Sequence, residues 1–159
     1  MLSIGKKPKL NFKIKALVGS KEVEVPFSDL LDGPTLVSVY MRNNTSACDL
    51  QAAEMGKIHK YLDKQGFKLI GLSRDTLASH VKYAAKHGYK YTLVADPEDL
   101  FSKALDAMVE KSMYGKKYLG PARAAYVFGA DGKLLGVIPK VEAARHGEQI
   151  HELLASLKD

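Results

Sequence analysis

The sequence predicts an α/β protein in which a central mixed β-sheet is flanked by helices and preceded by an N-terminal β-hairpin. Short β-branched runs alternate with segments whose apolar residues recur at helical spacing. Two pairs of apolar runs also flank tight-turn residues, one pair near each end of the chain. Because no change in composition interrupts the 159 residues, we predict a single domain over residues 1–159, with residues 1–9 as a candidate disordered segment.

The first half of the chain predicts the hairpin and the first βα unit. Residues 13–18 and 22–25 are β-prone runs around a Gly-Ser turn, and residues 28–31 predict a brief helical turn. Residues 36–41 are nearly all apolar, which is typical of a central strand covered on both faces. A helix is predicted from Thr45 to a stop near Gly66. Its apolar positions recur at helical spacing: Ala52, Met55, Ile58 and Leu62.

The middle of the chain predicts two further strands and two helices. Residues 67–73 and 91–95 are the strands. Between them, Asp75 or Thr76 caps a helix that ends at Gly88. The apolar face of that helix is predicted to be Leu77, Val81, Ala84 and Ala85. Proline and acidic residues at 96–99 then favour the start of another helix, which leads into Leu100, Ala104 and Met108.

The last third of the chain predicts a loop, a second hairpin and a closing helix. Residues 112–122 contain two glycines and one proline without a clear period, which indicates a loop. Residues 125–128 and 134–138 flank an Asp-Gly turn, the strongest hairpin signal in the sequence. The closing helix has apolar residues at Ile150, Leu153, Leu154 and Leu157.

The charge pattern argues against nucleic acid and membrane partners. Lysine and arginine number 24 against 18 acidic residues, but the basic residues are largely scattered among acids and no nucleic-acid-binding motif accompanies them. A basic nucleic-acid-binding surface is therefore kept only as an alternative, to be tested by the salt dependence of binding. No apolar run is long enough for a membrane span, and none follows the N-terminal charges as in a signal peptide, so we expect a cytoplasmic protein.

The single cysteine, Cys48, is the most informative residue. One thiol excludes an internal disulfide, a thiolate zinc site and a C-x-x-C redox pair. Cys48 follows Thr45 in the first turn of a predicted helix, where free backbone N–H groups and the helix dipole stabilise a thiolate. The residues alone leave two interpretations open, a reactive nucleophile and a buried small hydrophobe. The histidines show no metal-ligand spacing and no nucleotide-binding motif occurs, so we expect no cofactor.

Residues 40–48 resemble the peroxiredoxin active-site motif Pro-x-x-x-Thr-x-x-Cys. Residues 71–75, 79–80, 93–96, 113–116 and 120–128 are further similar to the bacterioferritin comigratory protein or peroxiredoxin Q branch of these AhpC/TSA-like proteins. The likeness covers about residues 10–157, and its strongest element is Thr45-x-x-Cys48 together with Arg123 before a late strand. The resemblance implies a thioredoxin-like fold and a thiol-dependent peroxidase that reduces hydrogen peroxide and organic hydroperoxides.

The resemblance also implies roles for three residues. Cys48 corresponds to the peroxidatic cysteine, which attacks the peroxide and becomes a sulfenic acid. Thr45 corresponds to the hydroxyl that hydrogen-bonds the peroxide. Arg123 corresponds to the cation that keeps the sulfur ionised and holds the substrate oxygens.

The sequence departs from the family pattern at four positions. Met41 stands where the motif has proline, and Gln51 stands where the family often carries glutamate. Ala53 and Ala84 occupy the two positions where this branch can carry a resolving cysteine. A one-cysteine mechanism is therefore expected, in which an external thiol, either thioredoxin or glutaredoxin with glutathione, recycles the sulfenic acid. The resemblance implies a monomer or a weak homodimer.

The departures define an alternative function. A relative with weakened peroxidase activity would act as a binding module or as a peroxide sensor through Cys48. Such a relative has little reason to retain Cys48, Thr45 and Arg123 together, and all three are present. The peroxidase is therefore the main prediction.

Overall fold

A computed structural model describes residues 1–157, so residues 158 and 159 of the predicted domain lie outside the described part. Two 3-10 turns, Phe27–Leu30 and Ala143–Arg145, accompany the strands and helices. The strands are β1 (Lys13–Val18), β2 (Lys21–Pro26), β3 (Thr35–Val39), β4 (Lys68–Ser73), β5 (Thr92–Ala95), β6 (Met108–Met113), β7 (Lys116–Pro121), β8 (Ala125–Phe128) and β9 (Leu134–Ile138). The helices are α1 (Ser46–Lys64), α2 (Leu77–His87), α3 (Leu100–Ala104) and α4 (His146–Ser156).

Seven of these strands form one mixed sheet in the order β2-β1-β5-β4-β3-β8-β9. β3, β4 and β5 run parallel, while β1–β2, β1–β5, β3–β8 and β8–β9 pair antiparallel. This confirms the predicted mixed sheet, including the N-terminal hairpin. β3 lies between β4 and β8 and all five of its residues are buried, because helices and loops cover both faces of the sheet.

Each face of the sheet has its own apolar layer. The first layer contains the buried faces of α1, α2 and α4, including Met55, Tyr83 and Ile150. The second layer covers the opposite face with α3 and the segment around the first 3-10 turn, including Phe27 and Phe101. Helices therefore flank the sheet, as predicted.

α1 and α2 begin and end near the predicted residues. The four predicted apolar positions of α1 are all buried. The Thr76 hydroxyl caps α2 by accepting a hydrogen bond from the Ser79 N–H, and Gly88 ends α2 in the left-handed conformation with φ 72°. The buried face of α2 differs from the prediction, because Ala85 is exposed whereas His80 and Tyr83 are buried.

The predicted loop over residues 112–122 is wrong. β6 and β7 form a two-stranded antiparallel hairpin there, and Tyr114 and Gly115 make its turn with φ values of 52° and 77°. Both strands are mostly exposed, so they lack the alternation of apolar and polar residues that marks a half-buried strand. The predicted continuation of the helix to Met108 is also wrong. α3 ends at Ala104, and Met108 is the first residue of β6.

Two further observations concern the chain as a whole. The N-terminal segment is hydrogen-bonded to the rest of the fold through Leu2 N–H to Leu105 O and Leu134 N–H to Lys6 O. Among residues 1–157, no helix combines the length and apolar character needed to cross a lipid bilayer.

Candidate active site

The junction between β3 and α1 positions Cys48. β3 ends at Val39, and the chain bends over residues 40–45 through Asn44, whose φ is 64°. Thr45 is the extended residue that precedes α1. Cys48 consequently lies in the first turn of a 19-residue helix, beside backbone N–H groups that have no partner within the helix.

Side chains from β4, α2 and the connection between them hold the bend in place. Asn43 is buried, and its backbone N–H donates to Asp75 Oδ2 at 2.9 Å. The Asn43 side chain accepts a hydrogen bond from the Tyr40 hydroxyl at 2.6 Å and donates to Ser79 Oγ at 3.1 Å. Asp75 in turn accepts a hydrogen bond from Ser73 Oγ. These bonds fix the path of the chain before Cys48.

The Cys48 thiol is buried, with 1% of its surface exposed. Burial is the largest influence on its pKa and raises it, because a thiolate is poorly solvated there. Hydrogen bonds from the Thr45 hydroxyl, the backbone N–H groups of Arg42 and Met41, and the Arg123 guanidinium lower the pKa. Together they outweigh burial, so the pKa of Cys48 lies below its ordinary value.

Thr45 has a single hydroxyl hydrogen, which it donates to the Arg42 carbonyl at 3.0 Å. The hydroxyl lowers the pKa of Cys48 only when that hydrogen turns toward the sulfur. In the bonded arrangement its oxygen still has lone pairs that can accept a hydrogen bond. Thr45 can therefore serve either the thiolate or a peroxide O–H.

A buried chain of hydrogen bonds holds Arg123. The Arg123 guanidinium donates from Nη1 to Gln51 Oε1 at 2.9 Å. Gln51 Nε2 donates to Ser38 Oγ at 2.8 Å and to the Val39 carbonyl at 3.2 Å. Ser38 Oγ also lies 2.8 Å from His146 Nε2. Since arginine only donates, Gln51 must present its oxygen to Arg123, and Ser38 and Val39 fix that orientation.

This chain of hydrogen bonds ends at His146, in the interior of the protein. Burial is the main cause that lowers its pKa, to about 4, so the ring is neutral at neutral pH. Its Nδ1 is buried and has no hydrogen-bond partner among the described residues. Sequence reasoning missed Ser38 and His146, because they are 108 positions apart and neither belongs to a motif.

The structure brings the three predicted site residues together. Thr45 and Arg123 both act on the sulfur of Cys48, although they belong to segments far apart in sequence. Gln51 lies one helical turn after Cys48 and is fully buried. Met41, which replaces the proline of the motif, has its Sδ atom 2.8 Å from Lys111 Nζ.

Within residues 1–157, no group of three or more His, Cys, Asp or Glu side chains is arranged to hold a metal ion.

Comparison with known proteins agrees with this fold. The AhpC/TSA family model matches residues 5–137. The peroxiredoxin Bcp of Xanthomonas campestris is 32% identical over 123 residues, covering 77% of this chain and 75% of that protein. The peroxiredoxin Bcp of Bacillus subtilis is 28% identical over 159 residues, covering 99% of this chain and 96% of that protein.

Solved structures confirm the thioredoxin-like fold. Xanthomonas campestris peroxiredoxin Q superposes with a TM-score of 0.81 at 26% identity, covering 96% of this chain and 94% of that chain. A cysteine-to-serine mutant of Xylella fastidiosa PrxQ superposes with a TM-score of 0.85 at 23% identity and covers 100% and 99% of the two chains, which shows the fold alone. The chain therefore belongs to the AhpC/TSA family, in the bacterioferritin comigratory protein or peroxiredoxin Q branch of thiol peroxidases, which use a peroxide and a thiol reductant.

Proposed function

We propose that Cys48 is the sulfur that reduces the peroxide, with Thr45 and Arg123 as its catalytic partners. The observation that carries this proposal is the low pKa of a thiol that is almost completely buried. Burial alone would keep Cys48 protonated and inert. Hydrogen bonding to the sulfur lowers its pKa instead, so the nucleophilic thiolate forms more readily than in an ordinary cysteine.

The oxidative step is a displacement at oxygen. The Cys48 thiolate attacks one oxygen of the peroxide, so that an S–O bond forms as the O–O bond breaks. Cys48 becomes a sulfenic acid, and the departing oxygen leaves as water or an alcohol after taking up a proton. The sulfur loses two electrons and the peroxide gains them, so the step needs no further redox partner.

Arg123 and Thr45 assist different parts of this displacement. The Arg123 guanidinium, oriented by Gln51, can donate hydrogen bonds both to the sulfur and to the oxygen on which negative charge develops. The Thr45 oxygen can accept the peroxide O–H, because its own hydrogen is donated to the Arg42 carbonyl. The proposed substrates are hydrogen peroxide and organic hydroperoxides, as the sequence predicts. An alkyl peroxide reduction activity is recorded for the Xanthomonas campestris bacterioferritin comigratory protein.

The reductive step needs a thiol from another molecule, because Cys48 is the single cysteine of the chain. An external thiol attacks the sulfenic sulfur, forms a mixed disulfide and releases water. A second thiol then attacks the mixed disulfide, which restores Cys48 and releases a disulfide. Thioredoxin, or glutaredoxin with glutathione, is the proposed source of these thiols.

The remaining sequence predictions stay proposals. They are a single domain over residues 1–159, a monomer or weak homodimer, no nucleic-acid or membrane partner, and a cytoplasmic location. Sedimentation of the purified protein over a range of concentrations tests the second of these.

Replacing Cys48 by serine tests the proposed function. We expect Cys48→Ser to abolish peroxide-dependent thiol oxidation, because a serine hydroxyl stays protonated and is a much weaker nucleophile. Ala53→Ser is the matched control, since it makes a change of similar size in the same helix and should keep turnover. Persistent turnover in Cys48→Ser would refute the assignment.

A further inference from the structure

A cleft opens between the bend that follows β3 and the hairpin of β6 and β7. Its volume is about 480 Å³, which suits a ligand the size of a small peptide. Part of its lining is apolar and comes from Met41, Met113, Tyr118 and Pro121. The cleft therefore combines a surface from the active-site bend with a surface from the hairpin.

The cleft is also strongly cationic. Arg42, Arg74 and Lys111 line it, against the single carboxylate of Asp75. Arg74 is engaged, because its guanidinium forms a two-pronged ion pair with Asp99. Arg42 and Lys111 therefore supply most of the positive charge that is available to a ligand.

Lys111 is a partly buried cation in the cleft. Its ammonium is partly buried against the Met41 thioether, with Nζ 2.8 Å from Sδ. No acidic side chain within residues 1–157 lies within 4.0 Å of Lys111 Nζ. Burial lowers the pKa of Lys111, and the charges of Arg123 and Arg74 lower it further. An anionic ligand would supply the missing partner of this ammonium.

The cleft adjoins the reactive sulfur. Met41 and Arg42 line the cleft, and the backbone N–H groups of the same two residues donate to Cys48. The ionised Cys48 thiol is also among the charges that act on Lys111. The cleft and the sulfur therefore share two residues of the bend, Met41 and Arg42.

We propose that this cleft binds a small anionic thiol, anchored by Lys111 and Arg42, and that this thiol reduces the Cys48 sulfenic acid. The sulfur of the thiol attacks the sulfenic sulfur, a mixed disulfide forms, and the sulfenic oxygen leaves as water. A second molecule of the thiol regenerates Cys48 and leaves as the symmetric disulfide. This inference rests on the proposed function, because it requires Cys48 to become a sulfenic acid.

The test compares thiols that differ in charge. Peroxidase turnover is measured with saturating hydrogen peroxide and either glutathione, which carries two carboxylates, or neutral 2-mercaptoethanol. Lys111→Met removes the ammonium and keeps an unbranched side chain. Lys116→Met is the matched control, because Lys116 belongs to the same hairpin, is exposed and does not line the cleft.

We expect Lys111→Met to lower kcat/KM for glutathione by about tenfold, the loss of one charge-assisted contact, and to change that for 2-mercaptoethanol less than twofold. Lys116→Met should leave both values unchanged. Equal losses for both thiols in Lys111→Met would overturn the proposal, because Lys111 would then act on Cys48 and not on the ligand.

Single-turnover oxidation separates this inference from the proposed function. If hydrogen peroxide fails to oxidise Cys48 in the unchanged protein, the proposed function fails. If oxidation proceeds and the glutathione preference does not depend on Lys111, only the inference fails. A Lys111-dependent preference for a hydroperoxide that carries a carboxylate over tert-butyl hydroperoxide, with no effect on thiols, would assign the anion site to the peroxide and contradict the thiol assignment.

Discussion

At Cys48, the decisive feature is a competition between desolvation and hydrogen bonding. A thiol in the interior resists ionisation, and burial is the largest single influence on this pKa. Two backbone N–H groups, one hydroxyl and one guanidinium reverse its effect. One of those N–H groups belongs to Met41, and the proline of the family motif has no N–H to offer at that position. The departure at Met41 therefore adds a donor to the site.

Removing the guanidinium should slow the oxidation of Cys48. Arg123→Ala deletes a charge-assisted hydrogen bond, a loss of roughly 1.5 to 3 kcal/mol or about one to two decades in the rate constant. Stopped-flow measurement of sulfenic acid formation checks this value. Arg123→Lys, which keeps the charge without the planar fork, should recover part of the rate. An unchanged rate in Arg123→Ala would show that the role assigned to Arg123 is wrong.

Because Gln51 is neutral, its hydrogen bond with Arg123 does not neutralise the positive charge of the guanidinium. In Gln51→Glu the new carboxylate would pair with Arg123 and place a negative charge near the sulfur, so the pKa of Cys48 should rise. We expect severalfold slower alkylation of Cys48 at neutral pH, with the two proteins converging at high pH. Gln51→Met, which removes the hydrogen bond without adding charge, separates charge from positioning. A lower thiol pKa in Gln51→Glu would contradict this account.

The site could be predicted from sequence only where a local motif marks it. Thr45 and Cys48 are three residues apart at a helix start, and Arg123 was assigned only through the resemblance to the peroxiredoxin family. The support for Arg123 consists of Gln51, Ser38 and His146, which meet only after the sheet has formed. No residue pattern along the chain encodes such a contact.

Among the elements, α2 supports the bend that precedes Cys48. The first turn of α2 carries Ser79, whose hydroxyl accepts from the Asn43 side chain, and Thr76 caps that turn. Thr76→Ala should lower the free energy of unfolding by about 1 kcal/mol, because the Ser79 N–H loses its acceptor. Urea unfolding measures the change, and Thr76→Ser should preserve most of the stability. Equal stability of Thr76→Ala and the unchanged protein would contradict the cap.

The hairpin of β6 and β7 shows where element prediction fails. The central strand β3 and the helix α1 were predicted because burial imposes a period on their apolar residues. β6 and β7 pair with each other outside the main sheet and are largely exposed, so no burial pattern marks them. Their turn depends on the left-handed conformation of Tyr114, a residue type that rarely adopts it.

For the whole molecule, buried neutral histidines couple stability to pH. Burial lowers the pKa of His146 from 6.5 to about 4, and it also lowers the pKa of His80. The unfolded chain therefore binds more protons than the folded protein as pH falls below 6.5, so stability falls with pH in this range. His146 alone accounts for about 3 kcal/mol when the pH reaches its folded pKa.

His146→Gln tests this coupling, since glutamine can still hydrogen-bond Ser38 but does not titrate. The variant should lose less stability than the unchanged protein between neutral pH and pH of about 4. Urea unfolding across this range gives the two slopes. Identical slopes would show that His146 does not carry the acid sensitivity.

The central claim is that this fold activates Cys48 toward peroxide. The most direct test is the second-order rate constant for oxidation of Cys48 by hydrogen peroxide at neutral pH, with the sulfenic acid trapped and located by mass spectrometry. We predict a rate constant several decades above that of a free thiol and a trapped sulfenic acid on Cys48. A rate constant equal to that of a free thiol would contradict the account, because the donors around the sulfur would then provide no activation.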